Sequence, residues 1–304
     1  MDAAPTTAER TLDPPSTAGR VQQVVRDYVE LTKPRVQSLL ILTTISAMFV
    51  AGTPDLLLVV LTCLGGYLSA GGAGAVNHWY DRDIDAEMER TADRPVASGR
   101  VSPRAALTFG ILLALASFVL MSLTINVLAA SLALAGFVGY VFVYTMWLKR
   151  TTPQNIVIGG AAGAFPPLVG WAAVTGSISG MAIFMFAIVF FWTPPHFWAL
   201  SILMKDEYAK VGVPMLPVVR GEAETRKQIL LYTILLYAVT QLPFCVGGMG
   251  AFYLVASLAL GLLFIGGAVR LYRRADRRSA LTLYLYSLLY LALLFGAMVV
   301  DARI

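Results

Sequence analysis

Long apolar runs, separated by shorter polar connections, dominate the chain from about residue 36 to residue 300. A helix that crosses a bilayer needs about 20 consecutive, mostly apolar residues. Two proline pairs, Pro166-Pro167 and Pro194-Pro195, fall inside such runs and should kink the helices that contain them. The pattern predicts an all-α polytopic membrane protein with nine transmembrane helices around a central cavity. The predicted spans are roughly 36–53, 56–76, 104–122, 125–147, 155–175, 178–200, 228–248, 251–270 and 280–300.

The polar segments predict how the chain is divided. Residues 1–30 contain several prolines and no apolar run, which predicts a disordered tail. Residues 31–304 then form a single intramembrane domain. Acidic connections recur four helices apart on the same side of the membrane. We therefore predict two pseudo-repeated halves, 31–150 and 151–275, followed by a ninth helix.

The composition of the 304-residue chain agrees with a membrane location. Hydrophobic residues make up 58% of the chain and charged residues 13%, whereas soluble domains carry about 25% charged residues. A soluble protein of this length could not cover its surface with so few charges, and disordered chains have the opposite composition. Both cysteines, Cys63 and Cys245, lie in apolar runs without CxxC spacing, which argues against a disulfide framework or a zinc site.

The basic residues predict the orientation of the chain. Of the 23 lysines and arginines, 22 lie before helix 1 or in the connections between helices 2–3, 4–5, 6–7 and 8–9, and only Arg303 lies on the other side. These connections share one face because successive helices alternate in direction. The positive-inside rule assigns that face to the cytoplasm, with a cytoplasmic N-terminus and an outer C-terminus. The net charge of +5 therefore indicates topology and no nucleic-acid partner.

Acidic residues gather on the same face, although the positive-inside rule does not require it. Asn77, Asp81 and Asp85 are spaced four residues apart after helix 2. On a helix this spacing puts the three side chains on one face, with a rise of about 6 Å per step. Their oxygen atoms suit Mg²⁺, which typically joins carboxylates to substrate phosphates. Arg90 and Arg94, again four apart, offer fork-like donors to the same phosphates.

A second polar cluster follows helix 6, four helices after the first, and comprises residues 193–198 and 205–218, including Asp206. Two such loops facing one another over a helical cavity could clamp a diphosphate with bound Mg²⁺, while an apolar tail stays in the membrane. The chain has no P-loop, so a lipid-soluble diphosphate ester fits better than a nucleotide. The alternative for the first loop is a solvated amphipathic segment stabilised by i,i+4 ion pairs.

At these residues the sequence resembles the UbiA-type intramembrane prenyltransferase superfamily, whose NxxxDxxxD motif matches Asn77, Asp81 and Asp85. The closer resemblance is to the branch of that superfamily that transfers a farnesyl group to heme. The matching segments run in order from about residue 31 to residue 220. They are 31–36, 80–85, 90–91, 94–95, 149–160, 193–198 and 213–218.

The resemblance implies the nine-helix fold, dependence on Mg²⁺, and farnesyl diphosphate and heme B as substrates. The farnesyl group would be transferred to a vinyl group of heme B, after which water completes a hydroxyethylfarnesyl group. The resemblance also implies a bacterial inner-membrane location with the active site toward the cytoplasm. Handover of the product to a heme A synthase or to oxidase assembly would follow.

The candidate site residues fall into groups by expected role. The expected metal ligands are Asn77, Asp81, Asp85 and Asp206. The expected catalytic residues are Asp81, Asp85, Asp206 and Lys210. The expected diphosphate contacts are Lys33, Arg90, Arg94 and Lys210. The expected heme contacts are His78, His196, Lys149, Arg150, Arg35 and Trp198. The alternative for the histidines is a satisfied position at the membrane interface, and for Lys33 and Arg35 it is topological anchoring.

Two positions depart from the superfamily pattern. Its second motif is commonly DxxxD, but Lys210 stands four residues after Asp206, which predicts either a weaker second metal site or a direct phosphate contact from Lys210. Its YxxxK pair becomes Tyr144 and Lys149, which are five residues apart.

Two alternative functions stay open. One is a prenyltransferase with a quinone or chlorin acceptor. The other is a transporter of an anionic lipid or metabolite. Transporters usually place ionisable residues near the bilayer midplane, whereas the charges here lie at one membrane edge, which disfavours transport.

Overall fold

The computed structural model describes residues 17–304, and over that range the chain consists of helices joined by short connections. The helices are α1 (Thr17–Leu31), α2 (Pro34–Ala51), α3 (Leu56–Tyr80), α4 (Arg82–Glu87), α5 (Pro103–Thr124), α6 (Val127–Val138), α7 (Asn155–Gly163), α8 (Phe165–Thr175), α9 (Gly180–Leu203), α10 (Lys205–Lys210), α11 (Leu216–Val219), α12 (Gly221–Cys245), α13 (Ala251–Arg274) and α14 (Arg277–Asp301). Helix α6 continues without a break as a π-helix, Gly139–Trp147, and a 3₁₀ turn, Leu148–Arg150.

Within residues 17–304, nine helical segments are long and apolar enough to cross a membrane, which confirms the predicted number and order of spans. Eight of them begin at α2, α3, α5, α6, α9, α12, α13 and α14, and the remaining one, Asn155–Thr175, combines α7 and α8. Its break falls at Ala164, immediately before Phe165 and the pair Pro166-Pro167. The second proline pair lies inside the continuous helix α9.

Polar side chains mark where several spans begin. Asp55, Ser102, Asn126, Ser179 and Asp276 each accept a hydrogen bond from a backbone N–H in the first turn of the helix that follows. Each cap satisfies one of the donors that a helix N-terminus leaves without a partner. The sequence therefore defines the starts of α3, α5, α6, α9 and α14 locally.

The spans form a closed ring. Helix α2 packs against α3 and α8 and also against the last helix, α14. Helix α14 packs in turn against α9 and α13, and α12 lies between α9 and α13. Because the spans alternate in direction, the connections after α3, α6, α9 and α13 lie at one end of the ring, which we call the charged end.

The main core lies between α9, α12, α13 and α14. Its largest fully buried side chains include Tyr253, Phe264, Tyr290 and Phe295. A smaller cluster, which includes Met48 and Met121, lies toward the opposite end of α2 and α5. The charged-end half of α3 is instead lined with small residues.

The small residues of α3 allow close helix packing, as the glycine-rich run 64–74 predicts. A Cβ atom added to Gly72 would lie 2.6 Å from the carbonyl oxygen of Gly110 in α5, and one added to Gly110 would lie 2.8 Å from the carbonyl oxygen of Gly72. At these positions α3 and α5 therefore touch backbone to backbone. This contact fixes the charged end of α3, which carries the candidate site.

The predicted disordered tail is corrected over part of its length. Residues 1–16 lie outside the part of the chain that the structure describes, but Thr17–Leu31 forms helix α1. Asp27 is buried and forms an ion pair with Arg100 at 2.9 Å, while the ring of Tyr28 packs edge-on against Phe109 at 4.9 Å. The tail lacks a membrane-length apolar run, but Tyr28 and the buried Leu31 are sufficient to attach a surface helix to α3 and α5.

Candidate functional site

The first acidic motif lies at the junction of α3 and α4, at the charged end. Asp81 ends α3 and precedes α4, and its backbone N–H donates to the carbonyl of Asn77 at 2.9 Å. Asn77, Asp81 and Asp85 are 3%, 0% and 2% exposed. The side-chain amide of Asn77 donates to Asp81 Oδ2 at 2.6 Å. The three residues thus follow one another along a nearly continuous helical path, and all three side chains are withdrawn from solvent.

Two basic residues from the end of the α6 span balance the charge of Asp81. Lys149 Nζ donates to Asp81 Oδ2 at 2.5 Å, and Arg150 Nη2 lies 3.3 Å from Asp81 Oδ1. Arg150 also holds both carboxylate oxygens of Asp83 at 2.7 Å. This bond to Arg150 lowers the pKa of the Asp83 carboxyl to about 2. The fully buried carboxylate of Asp81 needs its contacts with Lys149 and Arg150, because an isolated buried charge is energetically very costly.

Two further cations complete the cluster. Arg94 Nη1 donates to both carboxylate oxygens of Asp85, at 2.8 and 2.7 Å. Lys33, between α1 and α2, donates to Asn77 Oδ1 at 2.6 Å. Burial, followed by the charges of Arg94 and Lys149, lowers the pKa of the Lys33 ammonium group to about 7. Four cations from three separate segments therefore surround three buried oxygen-bearing side chains.

The donor set fits a magnesium ion that is held partly by protein and partly by substrate. Mg²⁺ typically uses one or two carboxylates, keeps several waters and takes phosphate oxygens as its remaining ligands. Among the described residues no cluster of three His, Cys, Asp or Glu side chains is preformed for a metal. Asn77 and Asp81, which contact one another, offer the side-chain oxygens for a partial coordination shell. The excess of neighbouring cations suits an anionic co-ligand.

The second acidic loop contacts the first directly. Lys210 Nζ, at the end of α10, donates to the carbonyl of Glu87 at 2.9 Å, and the backbone N–H of Arg90 lies 3.4 Å from Glu207 Oε2. Burial raises the pKa of the Tyr208 hydroxyl, while the charges of Arg90 and Arg94 act in the opposite direction. The two loops that the sequence places on one face are therefore joined, and Arg90 and Lys210 lie at the junction.

Asp206 is placed differently from the other acidic candidates. Its side chain is exposed and lines a cavity of about 130 Å³ together with Lys205, Glu222, Arg226 and Arg277. Glu207, its neighbour in α10, makes the contact with the first loop. The structure thus brings Asn77, Asp81, Asp85, Arg90, Arg94, Lys33 and Lys210 to one region and places Asp206 in a cavity beside α12 and α14.

The two histidines occupy different environments, and both are buried. His196 in α9 shares a hydrogen bond of 2.7 Å between its Nδ1 and Ser287 Oγ, and its ring stacks on Trp192 at 4.3 Å and on Tyr284 at 4.8 Å. Within residues 17–304, neither ring nitrogen of His78 in α3 has a hydrogen-bond partner. Buried polar atoms without a partner are uncommon in folded proteins, which makes His78 a candidate for contact with a ligand. The expectation of a satisfied histidine fits His196 better than His78.

The other predicted heme contacts are dispersed. Lys149 and Arg150 lie on Asp81, as described above, and Arg35 is exposed in the first turn of α2. Trp198 is 2% exposed and packs edge-on against Tyr232 at 5.2 Å. Its indole N–H has no acceptor among the residues that the structure describes. Within the described chain, no hydrogen bond or ring contact links Arg35 or Trp198 to Lys149 and Arg150.

Sequence reasoning named Tyr144 but missed Tyr140 and Thr145, which the same π-helix contributes. Thr145 is completely buried and accepts a hydrogen bond from Asn77 Nδ2 at 3.2 Å. The rings of Tyr140 and Tyr144 lie 5.4 Å apart, and Lys33 Nζ is 5.9 Å from the centre of the Tyr140 ring. The only available signal was indirect: Thr145 precedes Lys149 by four residues, as Asn77 precedes Asp81.

Known proteins are similar to this chain in sequence. Residues 39–295 match the UbiA prenyltransferase family. The chain is 55% identical over 283 residues to the protoheme IX farnesyltransferase of Chloroflexus aurantiacus, covering 92% of this chain and 48% of that protein. It is 54% identical to the protein of the same name from Symbiobacterium thermophilum, covering 92% of this chain and 95% of that protein. The chain spans about half the length of several of the curated relatives it matches, and nearly all of others.

Solved structures share the fold at low sequence identity. A structure of digeranylgeranylglyceryl phosphate synthase superposes with a TM-score of 0.76 at 19% identity, covering 92% of this chain and 99% of that chain. A UbiA homologue from Archaeoglobus fulgidus, bound to DMAPP and Mg²⁺, superposes with a TM-score of 0.67 at 18% identity, covering 90% and 99%. At such low sequence identity, the two superpositions show a shared fold. The match over most of the chain, including the acidic motif at the end of α3, shows that this protein belongs to the UbiA prenyltransferase family.

Proposed function

We propose that the protein catalyses Mg²⁺-dependent transfer of the farnesyl group of farnesyl diphosphate to a vinyl group of heme B, which, with the addition of water, yields heme O and diphosphate. The observation that carries the proposal is the buried cluster of Asn77, Asp81 and Asp85 with its surrounding cations. The names of relatives about 55% identical over about 92% of the chain support heme as the acceptor. The solved Archaeoglobus relative, which binds DMAPP and Mg²⁺, supports a prenyl diphosphate as the donor.

The buried acidic motif supplies the metal site in this proposal. Asn77, Asp81 and Asp85 would hold Mg²⁺, which would supply positive charge next to the departing diphosphate. Asp206 is our sequence-based candidate for a second ion, although Glu207 makes the contact with the first loop. Either acidic residue would have to turn toward the substrate to bind a metal.

The surrounding cations bind the diphosphate. Lys33, Arg94 and Lys210 reach the region from three separate segments, and Arg90 lies at the junction of the loops. Ionisation breaks the bond between C1 of the farnesyl chain and the diphosphate oxygen, and the electron pair leaves with the diphosphate. Fixed positive groups stabilise that charge without having to reorganise.

The carbon chemistry takes place on the membrane side of this cluster. The terminal vinyl carbon of heme B forms the new bond to C1, which leaves a positive charge on the adjacent carbon. Water adds there and releases a proton to solvent, which completes the hydroxyethylfarnesyl group. Tyr140 and Tyr144 present aromatic rings beside the cation cluster, and ring faces stabilise positive charge.

The same proposal orients the protein. The charged end faces the cytoplasm of a bacterial inner membrane, because it carries nearly all lysines and arginines. Farnesyl diphosphate then approaches with its charged head at the cytoplasmic surface and its tail in the bilayer. Handover of heme O to a heme A synthase or to oxidase assembly would begin from this site.

The test is incubation of the purified protein with heme B, farnesyl diphosphate and Mg²⁺, followed by mass spectrometry. We expect heme O from the wild type and none from Asp81→Ala or Asp85→Ala, provided that both variants are expressed and folded. Full activity in the variants would overturn the metal assignment. Prenylation of a quinone or chlorin precursor in place of heme would support the alternative acceptor.

A further inference from the structure

The side-chain amide of Asn77 is held in one orientation. Its Nδ2 donates two hydrogen bonds, to Asp81 Oδ2 at 2.6 Å and to Thr145 Oγ1 at 3.2 Å. Its Oδ1 points to the ammonium group of Lys33, at 2.6 Å. Both N–H groups of the amide are therefore used, and the oxygen is left facing the cations of the site.

This orientation matters because the two ends of an amide have opposite chemistry. The carbonyl oxygen accepts hydrogen bonds and can ligate a hard cation, whereas the NH₂ group can only donate. A reversed amide would present N–H groups to a metal and to Lys33, and oxygen to the Asp81 carboxylate. Asn77 can serve the proposed metal site in only one of its two orientations.

The π-helix explains how Thr145 reaches Asn77. Residues 139–147 form a π-helix within the α6 span, and such segments are often associated with functional sites. Thr145 meets Asn77 and Lys149 meets Asp81, each pair 68 residues apart in the chain. The two segments thus run in the same direction, and their matching four-residue steps place a hydroxyl on the amide and an ammonium group on the carboxylate.

We propose that Thr145 is a positioning residue, which holds the Asn77 carbonyl oxygen toward the metal and diphosphate. This inference rests on the proposed function, because it assumes that Asn77 ligates a divalent cation. Thr145 is completely buried and acts through the hydrogen bond it accepts from Asn77. Groups that orient metal ligands typically change metal affinity by about 10–100-fold when they are removed.

The test compares Thr145→Val with Thr145→Ser in the full-length protein. Valine keeps the shape of threonine and removes the acceptor, whereas serine keeps the acceptor. The readout is Mn²⁺ binding by electron paramagnetic resonance, in the presence of an unreactive thiolo analogue of farnesyl diphosphate. We expect the Kd for Mn²⁺ to rise about tenfold in Thr145→Val and to return to within about threefold of wild type in Thr145→Ser.

A matched control separates positioning from packing. Thr233 is equally buried, and its hydroxyl donates to the Ile229 carbonyl of its own helix, α12. We therefore expect the Thr233→Val variant to bind Mn²⁺ as the wild type does. This should hold even if Thr233→Val lowers the thermal stability of the protein as much as Thr145→Val does. Equal loss of Mn²⁺ binding in both valine variants would overturn the positioning role.

A further variant, Asp81→Ala, keeps this inference distinct from the proposed function. If Asp81→Ala loses Mn²⁺ binding while Thr145→Val binds as wild type does, the inference fails and the metal site stands. If Asp81→Ala binds Mn²⁺ normally, the metal site itself fails and the inference fails with it. Loss in Asp81→Ala and Thr145→Val, with recovery in Thr145→Ser, supports both.

Discussion

Lys210 and Glu87, 123 residues apart in the chain, are joined by a hydrogen bond of 2.9 Å from the lysine ammonium group to the main-chain carbonyl. This bond connects the loop after α9 to the loop after α3. It places a cation from the second half of the chain beside the acidic motif of the first half. The departure from DxxxD at position 210 therefore puts a positive group at the junction of the two loops.

Lys210→Met should raise the KM for farnesyl diphosphate by about 10–100-fold, since hydrogen bonds to charged groups are worth about 1.5–3 kcal/mol. The physical reason is the loss of both a phosphate contact and the link to Glu87. Steady-state kinetics at saturating heme B measures the effect. Lys227→Met is the control, because Lys227 lies near the same end, is 58% exposed and pairs only loosely with Glu224. Equal KM values for the two variants would contradict the role of Lys210.

Lys149→Met should destabilise the protein by about 3 kcal/mol when metal is withheld, because it leaves the buried Asp81 without its closest cation. Added Mg²⁺ should recover part of the lost stability by supplying positive charge at the same carboxylate. The measurement is the thermal unfolding midpoint in detergent, with and without Mg²⁺.

The double variant Lys149→Met/Asp81→Asn provides the control for this second experiment. It removes both charges, so we expect it to be more stable than Lys149→Met alone and to show no gain from Mg²⁺. A Mg²⁺ response as large as that of the single variant would place the ion away from Asp81.

His196→Ala and His78→Ala should weaken heme retention, measured from the heme absorbance of the purified protein. Ser287 engages Nδ1 of His196 and thereby leaves the opposite ring nitrogen for a ligand. Both ring nitrogens of His78 are buried, and neither has a partner in the described part of the chain. Normal heme binding in both variants would exclude the histidines as heme contacts. Ser287→Ala should shift the heme spectrum only if His196 is the contact.

Gly72→Ala should destabilise the protein by about 1–3 kcal/mol, because the added methyl group would lie 2.6 Å from the Gly110 carbonyl oxygen in α5. Gly66→Ala is the matched control, since a Cβ atom added there meets no atom of another described segment within 4 Å. Thermal unfolding in detergent distinguishes the two. Equal stability of both variants would mean that α3 and α5 can move apart without lowering the stability of the protein.

The sequence was sufficient for the features that depend on the bilayer and on local spacing. Apolar runs of membrane length predicted the nine spans of residues 17–304. The four-residue step from Asn77 to Asp81 predicted that the two side chains share one helix face, where the structure joins them by a hydrogen bond. The sequence was insufficient to predict contacts between helices that are far apart in the chain. The contact of Thr145 with Asn77 depends on a π-helix for which hydropathy has no signal. Helix α1 was missed because its stability comes from Arg100 and Phe109, which follow it by more than 70 residues.

The closed ring of spans has a consequence for biogenesis. Arg303, beyond the last helix, donates to the carbonyl of Phe49 in the first span across 254 residues, and α14 packs along α2. At the usual synthesis rate of about 5–20 residues per second, the first span waits roughly 10–50 seconds for its last neighbour. During that interval one side of α2 faces lipid or the insertion machinery. A chain shortened before α14 would insert most of its spans but would lack the helix that closes the ring between α13 and α2. Such a chain would be a natural substrate for membrane quality control.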